Sequence, residues 1–311
     1  MSAPASLVVI LGPTASGKSS LAIWLAEQLN GEVLVCDSTQ VYKHFDIGTA
    51  KVPLAEQRGV PHHLVDLLEP EQIFTAGEYR RQALQVLAEV NQRDRLPIVT
   101  AGTGLYLRAL LEGLSDAPER SEELRTRLRE KAKLRGPGHL HRILARLDLA
   151  SASRIAPRDT QKVIRAIEMR ILAKKPVDEI HGEGRKSLEG YAVQKIGLSA
   201  PRDALYARIE ARTELMIRDG WLDEVSRLIS KGIPPDAKPF QFIGYSELRS
   251  HLNGQLTLES AVQNIQQATR QFAKRQLTWF RKEQGVHWLP GFGDEPKIAQ
   301  ASLEFLRNSH S

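Results

Sequence analysis

The chain has 311 residues, of which 41% are hydrophobic and 26% are charged, with a formal net charge of +6. These values are typical of a soluble globular protein with a full core, and no apolar run reaches the roughly 18 residues of a membrane-spanning helix. The start of the chain lacks the pattern of a signal peptide, and a single cysteine, Cys36, excludes an internal disulfide framework, so we expect a cytoplasmic protein.

The first third of the chain alternates short apolar runs with segments of helical periodicity. This alternation predicts a doubly wound parallel sheet of the α/β class. The predicted strands are Leu7–Leu11, Val33–Cys36, a weak one at Leu64–Leu68, and Pro97–Thr100. The predicted helices between and after them are Gly17–Leu29, Thr75–Asn91 and Leu105–Leu111.

The middle of the chain is charged, helical in pattern and poor in strand signals. Residues 116–196 contain 19 Lys or Arg against 12 Asp or Glu, whereas the rest of the chain is nearly balanced. A GPG break at Gly136–Gly138 separates two predicted helices, and Ser151–Leu172 is predicted as a third. The basic excess indicates either a solvated helical face or a surface for a polyanion.

A strand pattern returns at Val193–Leu198, so the sheet resumes after the basic segment. Helices are predicted at Arg202–Asp219, Leu222–Lys231 and Leu258–Lys282, and the tail after Trp288 is expected to be peripheral. The predicted organisation is a core domain of residues 1–115 and 193–311, interrupted by a helical insertion domain of residues 116–192.

A phosphate-binding loop follows the first strand. The sequence GPTASGKS, from Gly12 to Ser19, fits the pattern G-x-x-x-x-G-K-[ST]. Its glycines let backbone N–H groups converge on phosphate oxygens, Lys18 adds a positive charge, and the Ser19 hydroxyl can bind Mg²⁺. A strand before the loop and a helix after it complete a P-loop NTPase-like context. The motif does not indicate which molecule carries the phosphates.

Two further loops carry polar groups at strand ends. Asp37 ends the strand predicted to lie next to the P-loop strand, where it is a candidate Mg²⁺ ligand, a candidate general base or simply a helix cap. The Gly-rich turn AGTG, from Ala101, places the Thr103 hydroxyl at its tip. Because ligands bind at the carboxyl ends of parallel strands, both loops are expected to face one crevice.

The segment TRQFAKRQLTWFRK, from Thr269, is predicted as a basic helix. Its cations and its aromatic residues fall on different faces. This pattern indicates either an amphipathic helix whose rings pack in the protein core or a helix whose cations bind a nucleic-acid phosphate backbone. The cationic face holds Arg270, Lys274 and Arg281, and the other holds Phe272, Gln276, Trp279 and Phe280. Elsewhere, His62 and His63 lack partners at metal-ligand spacing, so we expect hydrogen bonding from them.

Taken together, these stretches resemble the bacterial tRNA dimethylallyltransferases. The resembling motifs, in family order, are GPTASGKS, DSTQVY, IGTAK, VPHHLVD, GTGLYLRALLEG, DTQKVIRAIE, LYARIEARTELMIRDGWLDEV, FIGYSEL and TRQFAKRQLTWFR. The chain departs from the family at Thr39, where Met is usual, at Ala101, where Gly is usual, and in the stretch FTAGEY. These departures concern substrate fit and replace none of the expected chemical groups.

The resemblance implies a P-loop fold that transfers no phosphoryl group. The implied donor is dimethylallyl diphosphate, and the implied acceptor is the exocyclic N6 amine of the adenosine immediately 3′ of the anticodon, position 37, in the tRNA anticodon stem-loop. Diphosphate leaves, and Mg²⁺ is the implied cofactor. A stacked base cannot reach a buried donor, so the adenosine must be extruded at a cost of roughly a few kcal/mol. No membrane partner is expected, and we expect a monomer.

The resemblance also implies roles for single residues. Asp37 resembles the general base, Thr103 a hydrogen-bond donor near the leaving oxygen, and Lys18 and Arg212 cations on the diphosphate. The implied donor site comprises Gly12, Pro13, Thr14, Ala15, Ser16, Gly17, Lys18, Ser19 and Arg212, with Ser19 as the Mg²⁺ ligand. The implied tRNA contacts are Asp37, Ser38, Thr39, Gln40, Thr103, Arg125, Gln161, Lys162, Val163, Ile164, Arg165, Gln241, Gly244, Tyr245, Arg270, Lys274 and Arg275.

Three other functions fit parts of the sequence. A P-loop kinase or NTPase explains the phosphate loop but has no evident need for the basic insertion. An enzyme that prenylates free adenine nucleotides explains the loop and Asp37, but not the basic insertion and the helix after Thr269. A nucleic-acid-binding module without catalysis leaves the P-loop and Asp37 unexplained.

Overall fold

The computed structural model describes residues 4–182 and 184–308. They contain a six-stranded sheet, and helices lie between its strands along the chain. The strands are β1 (Ala5–Leu11), β2 (Gly31–Cys36), β3 (His62–His63), β4 (Leu96–Ala101), β5 (Tyr191–Leu198) and β6 (Val286–Leu289). The helices before β5 are α1 (Lys18–Leu29), α2 (Ala76–Gln92), α3 (Gly104–Glu112), α4 (Glu122–Arg135), α5 (Pro137–Leu147), α6 (Leu149–Arg154), α7 (Thr160–Ala173) and α8 (Val177–Gly182). Those after β5 are α9 (Arg202–Arg218), α10 (Trp221–Ser230), α11 (Tyr245–Leu252), α12 (Leu258–Phe280) and α13 (Pro296–Asn308).

All strands of the sheet are parallel, in the order β3-β2-β4-β1-β5-β6. The run Leu7–Leu11 is fully buried because β1 lies at the centre with β4 and β5 on either side. The predicted α/β class is therefore confirmed. One expectation is wrong: β2, which ends before Asp37, does not border β1, because β4 lies between them.

The C-terminal segment belongs to the core of the sheet unit, which corrects the expectation of a peripheral tail. Strand β6 pairs with β5, with Lys195 opposite Val286. Helix α13 buries Ile298 and Leu303 in the same apolar cluster as Leu21 and Leu25 of α1. The apolar residues of α13 have helical spacing. Strand β6 has only four residues and closely follows the charged stretch 281–283, so its sequence pattern is too short to predict a strand.

The predicted strand at Leu64–Leu68 is absent from the described structure. Leu64 and Asp66 have φ angles of 65° and 54°, in the left-handed region that a strand cannot adopt. The edge strand lies two residues earlier, at His62–His63, and Leu68 forms only an isolated bridge with Tyr42.

A second compact unit comprises Leu111–Leu188, while Met1–Leu110 and Glu189–Ser311 form the first. Helices α4 to α8 surround an apolar cluster in which Leu140, Leu144, Val163 and Ile167 are fully buried. The single predicted helix Ser151–Leu172 is two helices, α6 and α7. Proline at 157 cannot donate within a helix, and the Asp159 side chain caps α7 by accepting from the backbone N–H of Lys162.

Across residues 4–182 and 184–308, no helix combines the length and the apolar character needed to cross a lipid bilayer.

Candidate active site

The P-loop connects β1 to α1 in a tight turn beside the C-terminal segment. Ala15 and Gly17 have φ angles of 63° and 83°, and a Cβ atom on Gly17 would lie 2.8 Å from the Gly293 nitrogen. Glycine is therefore required at position 17 both by its backbone angle and by its neighbour. Helix α1 begins at Lys18, so its unpaired N–H groups and its dipole favour an anion at the loop.

Two cations and one carboxylate meet at this loop. Lys18 Nζ donates to the Pro13 carbonyl at 2.8 Å, and Arg212 Nη1 donates to Thr14 Oγ1 at 3.2 Å. Burial lowers the pKa of Lys18 to about 8, although Asp37 opposes this shift, and the positive charge of Arg212 lowers it further. Burial also lowers the pKa of Arg212, which Asp37 partly offsets. Desolvated cations of this kind have a high affinity for an incoming anion.

Asp37 follows β2 and has two differently placed carboxylate oxygens. Its Oδ1 accepts from the Thr39 backbone N–H at 2.8 Å and from the Thr39 hydroxyl at 2.6 Å. Its Oδ2 lies against Gly102, where a Cβ atom would collide with it. The Thr39 side chain therefore adds a hydrogen bond that fixes the carboxylate.

Thr103 is held beside Asp37 because β4 pairs with β2. The backbone N–H groups of Gly102 and Thr103 both donate to the Cys36 carbonyl at 3.0 Å. The Thr103 hydroxyl accepts from the Ser38 N–H at 3.0 Å and donates to the Ser38 hydroxyl at 3.2 Å. Burial raises the pKa of the neighbouring Cys36 thiol to about 12, so this thiol stays protonated and is no nucleophile.

Gln276 of α12 also contacts this site, although the resemblance implied for it only a place in the stretch Arg270–Leu277, which was expected to contact tRNA. It is 6% exposed, its Oε1 accepts from the Thr14 N–H at 2.7 Å, and its Nε2 donates to the Gly102 carbonyl at 2.8 Å. The only sequence signal is a polar side chain on the aromatic face of an otherwise amphipathic helix.

One cavity of about 1630 Å³ in the first unit joins these groups. It exceeds the roughly 300–1,000 Å³ of pockets for drug-sized ligands. Its lining includes the polar residues Lys18, Ser19, Asp37, Thr103, Arg212 and Gln276, and the apolar residues Ile209, Met216, Ile265 and Phe272. Of the predicted donor residues, Thr14–Ser19 and Arg212 line this cavity together with the predicted base Asp37, whereas Gly12 and Pro13 are buried and do not line it.

A buried carboxylate fixes the loop of the IGTAK motif at the wall of the cavity. Glu224 of α10 is 4% exposed, and its Oε2 accepts from the backbone N–H groups of Asp46 at 3.1 Å and Ile47 at 2.8 Å. The Tyr245 hydroxyl donates to Glu224 Oε1 at 2.5 Å. Sequence patterns did not identify this contact, because Glu224 and the loop are far apart in the chain.

We expect Glu224→Gln to lower the free energy of unfolding by about 2–4 kcal/mol, because a neutral amide offers one acceptor to donors that the carboxylate serves with two. Urea denaturation at pH 7 measures the change. Glu214→Gln is the matched control, since Glu214 is exposed on α9. Equal stability of both variants would contradict this role of Glu224.

The residues predicted to contact tRNA in the first unit differ in accessibility. Lys274 and Arg275 are exposed on α12, and Arg270 forms an ion pair with Glu210 at 2.6 Å. Gln241 is exposed, whereas Gln40 donates to the carbonyls of the IGTAK loop. Two members need correction: Tyr245 is fully buried on Glu224, and Gly244 is buried against the Trp221 ring, so neither offers a surface to RNA.

The predicted contacts in the second unit are divided in the same way. Gln161 and Lys162 are exposed at the start of α7, but Val163 and Ile164 lie in the apolar core, so the side chains of these two offer no surface to RNA in this structure. Arg125 and Arg165 are both bound to Glu168, at 2.8 Å and 2.5 Å.

Glu168 is the buried centre of that network. Burial favours the neutral acid, but hydrogen bonds from Arg125, Arg165 and the Ser121 N–H outweigh it and lower the pKa of Glu168 to about 2. The carboxylate therefore remains charged and orders two arginines at the edge of the helical unit.

Comparisons with known proteins agree on one family. A model described as IPP transferase matches residues 40–283. A tRNA dimethylallyltransferase of Solibacter usitatus is 48% identical over 298 residues, which cover 96% of this chain and 97% of that protein. One of Koribacter versatilis is also 48% identical, over 97% of this chain and 98% of its own length.

Solved structures show the same relationship. The tRNA isopentenylpyrophosphate transferase of Bacillus halodurans superposes with a TM-score of 0.72 at 36% identity, covering 97% of this chain and 96% of that one. A eukaryotic dimethylallyltransferase captured acting on tRNA gives a TM-score of 0.79 at 25% identity, covering 98% of this chain and 80% of that one. The sheet, the P-loop and these matches along almost the whole sequence place the chain in the IPP transferase family.

Proposed function

We propose that this protein transfers the dimethylallyl group of dimethylallyl diphosphate to the exocyclic N6 amine of adenosine 37 in tRNA, with release of diphosphate. The observation that carries this proposal is the cavity in which Lys18 and Arg212 of an anion site face the carboxylate of Asp37. The names of the relatives support the same reaction.

The P-loop side of the cavity stabilises the leaving group. The allylic C–O bond breaks and its electron pair goes to diphosphate, whose growing charge is stabilised by the loop N–H groups, Lys18 and Arg212. These donors are already in place before the substrate arrives, so little reorganisation is needed during the reaction. The apolar lining residues Ile209 and Phe272 suit the hydrocarbon part of the donor.

Ser19 is the proposed protein ligand of Mg²⁺, which would supply additional charge neutralisation to the departing diphosphate. Ser19 lies in the first turn of α1 and lines the cavity. Among the described residues there is no cluster of three His, Cys, Asp or Glu side chains. A site with one hydroxyl ligand fits Mg²⁺, which commonly takes most of its other ligands from substrate phosphates and water.

Asp37 acts on the acceptor side. The amine nitrogen forms the new C–N bond and loses a proton, which Asp37 accepts. We assign this step to Oδ2, since Oδ1 already accepts two hydrogen bonds from Thr39. Thr103 is the proposed hydrogen-bond donor near the leaving oxygen, and for this its hydroxyl proton must turn away from the Ser38 hydroxyl, to which it donates in this structure.

The helical unit, Leu111–Leu188, is the proposed contact for the anticodon stem. Residues 111–188 contain 18 Lys or Arg against 12 Asp or Glu, an excess of six basic side chains. Proteins recognise duplex RNA mainly by its shape and phosphates, which suits a basic helical surface more than a set of specific base contacts. The exposed Gln161 and Lys162 remain the best candidates for direct contact there.

The exposed cations of α12 give a direct test of RNA binding. Replacing both Lys274 and Arg275 by glutamate is expected to weaken tRNA binding and to lower the slope of log affinity against log salt by roughly 1–2. Fluorescence anisotropy between 50 and 200 mM salt measures the slope. Lys297→Glu is the control, because Lys297 is exposed on α13 and is not among the predicted RNA contacts. An unchanged slope in the double variant would exclude these contacts.

The function itself is tested by incubating the protein with Mg²⁺, labelled dimethylallyl diphosphate and unmodified tRNA. Label should enter tRNA with adenosine at position 37 and should not enter the same tRNA with guanosine there. Label entering free adenosine monophosphate at a comparable rate would favour prenylation of free nucleotides. Phosphoryl transfer from ATP without prenyl transfer would favour a kinase.

A further inference from the structure

One side chain of helix α12 contacts both the loop proposed to bind diphosphate and the loop beside the proposed base. Gln276 binds the P-loop at the Thr14 N–H and the neighbouring loop at the Gly102 carbonyl. These loops follow different strands, β1 and β4, and their positions relative to each other are not determined by local sequence. The Gln276 side chain is 6% exposed; its bond to the Gly102 carbonyl is buried and its bond to the Thr14 N–H is partly buried, so both the donor and the acceptor of the amide are paired.

Other contacts of α12 reinforce the same arrangement. A Cβ atom on Gly104 would collide with the Trp279 ring, so the chain passes directly beneath this tryptophan, one turn from Gln276. On the P-loop side, Ala273 lies in one apolar cluster with Ile209 of α9, against which Ala15 packs. The inner face of α12 is therefore fitted to both loops.

The Gly102 contact matters because Gly102 touches Asp37. Its Cα faces Asp37 Oδ2, the oxygen proposed to accept the proton, and the next residue is Thr103. A shift of this loop would move the Thr103 hydroxyl and change the space beside Oδ2. A shift of the P-loop would move the diphosphate. Misplacement by about 1 Å can cost roughly 100-fold in rate.

We propose that Gln276 is a positioning residue that holds the diphosphate loop and the Gly102–Thr103 loop in a single arrangement, and so sets the separation between the leaving group and Asp37. This inference rests on the proposed prenyl transfer. Gln276 also occupies the Thr14 N–H, so it determines which amides of the P-loop remain directed at phosphate. The outer face of the same helix carries Lys274 and Arg275, so RNA bound there lies on the element that aligns the catalytic loops.

Two variants of Gln276 test the proposal. Gln276→Met keeps the approximate length and removes both hydrogen bonds. Gln276→Glu keeps an acceptor for Thr14 but places a carboxylate oxygen opposite the Gly102 carbonyl. Gln263→Met is the matched control, because Gln263 is an exposed glutamine 13 residues earlier on α12. For each protein, kcat, the KM for the donor, the dissociation constant for tRNA and the Tm are measured.

Both Gln276 variants are expected to lose about 10–100-fold in kcat, with tRNA affinity within about twofold of the parent protein. Hydrogen exchange of the P-loop amides, at Thr14 above all, is expected to be faster in Gln276→Met than in the Gln263 control. This exchange measurement needs no substrate and reads the Gln276–Thr14 bond directly.

Three results would overturn the proposal: unchanged kcat in both Gln276 variants, unchanged exchange at Thr14, or failure of both variants to fold, which would make Gln276 a residue of stability alone. An inactive parent protein would instead contradict the proposed function, and the exchange comparison would still decide whether Gln276 holds the P-loop.

Discussion

Replacing Asp37 by asparagine is expected to lower kcat by at least about 100-fold while leaving the dissociation constant for tRNA nearly unchanged. Asparagine has the same shape, and its Oδ1 can still accept from the Thr39 N–H and hydroxyl. What disappears is the basic oxygen beside Gly102. Single-turnover prenylation with saturating tRNA measures the chemical step without a contribution from RNA binding.

Asp203→Asn provides the control, because Asp203 is an exposed residue of α9 outside the cavity. Its turnover should equal that of the parent protein. The base assignment would be contradicted if Asp37→Asn bound tRNA poorly but reacted at the parent rate once bound, since Asp37 would then be an RNA contact.

Lys18→Met is expected to reduce kcat/KM for the donor by about 100–1,000-fold, because the variant loses the cation that stabilises charge on diphosphate. The same substitution should make the free protein more stable by about 1–2 kcal/mol at pH 7. Burial lowers the pKa of Lys18 to about 8, so the folded protein at pH 7 carries a charge that its surroundings disfavour. Steady-state kinetics and urea denaturation measure the two effects.

The pH dependence of Lys18→Met follows from the same shift. The unfolded chain has the ordinary lysine pKa of 10.5 and the folded protein about 8, so the cost of the charge is full below pH 8 and vanishes as pH rises towards 10.5. The stability gain should therefore be full at pH 7, reduced to roughly a quarter at pH 10 and absent only above pH 10.5. Lys297→Met, altered on an exposed side chain, should show neither the gain nor the kinetic loss. A gain independent of pH would contradict the assignment to the buried charge.

Protonation of Lys18, which lowers the stability of the free protein, should favour the binding of diphosphate. An anion favours the protonated lysine, so affinity for inorganic diphosphate with Mg²⁺ should weaken in the parent protein as the pH rises through 8, and should weaken less over the same range in Lys18→Met. Titration calorimetry in two buffers should detect proton uptake near pH 8 in the parent protein and less uptake in Lys18→Met.

The sequence was most informative where structure is determined locally. The apolar run of β1, the glycines of the P-loop and the periodicity of α1 predicted the central strand, the anion loop and its helix. The joint occurrence of family motifs predicted the IPP transferase family, which the comparisons confirm. Each of these signals lies within a short stretch, so tertiary contacts do not override it.

The sequence was least informative where distant segments meet. The order of strands, with β4 between β1 and β2, depends on which connection crosses the sheet, and apolar runs do not encode that. The burial of Tyr245 depends on Glu224, and that of Gln276 on two remote loops. Val163 and Ile164 matched a motif for RNA contact, but in the structure they lie in the apolar core of the helical unit, where they pack against other helices.

The strand order also has a consequence for the length of the donor. Adjacent strands of a sheet lie about 4.8 Å apart, so the ends of β1 and β2, with β4 between them, are separated by roughly 10 Å. The P-loop is at one end of this interval and Asp37 at the other. A donor must therefore reach across two strand spacings before its reactive carbon meets an amine beside the base. We expect the strand order to select the length of the donor. With two linked phosphates the allylic carbon reaches an amine beside Asp37, whereas with a monophosphate bound in the same loop the carbon would lie too far from that amine.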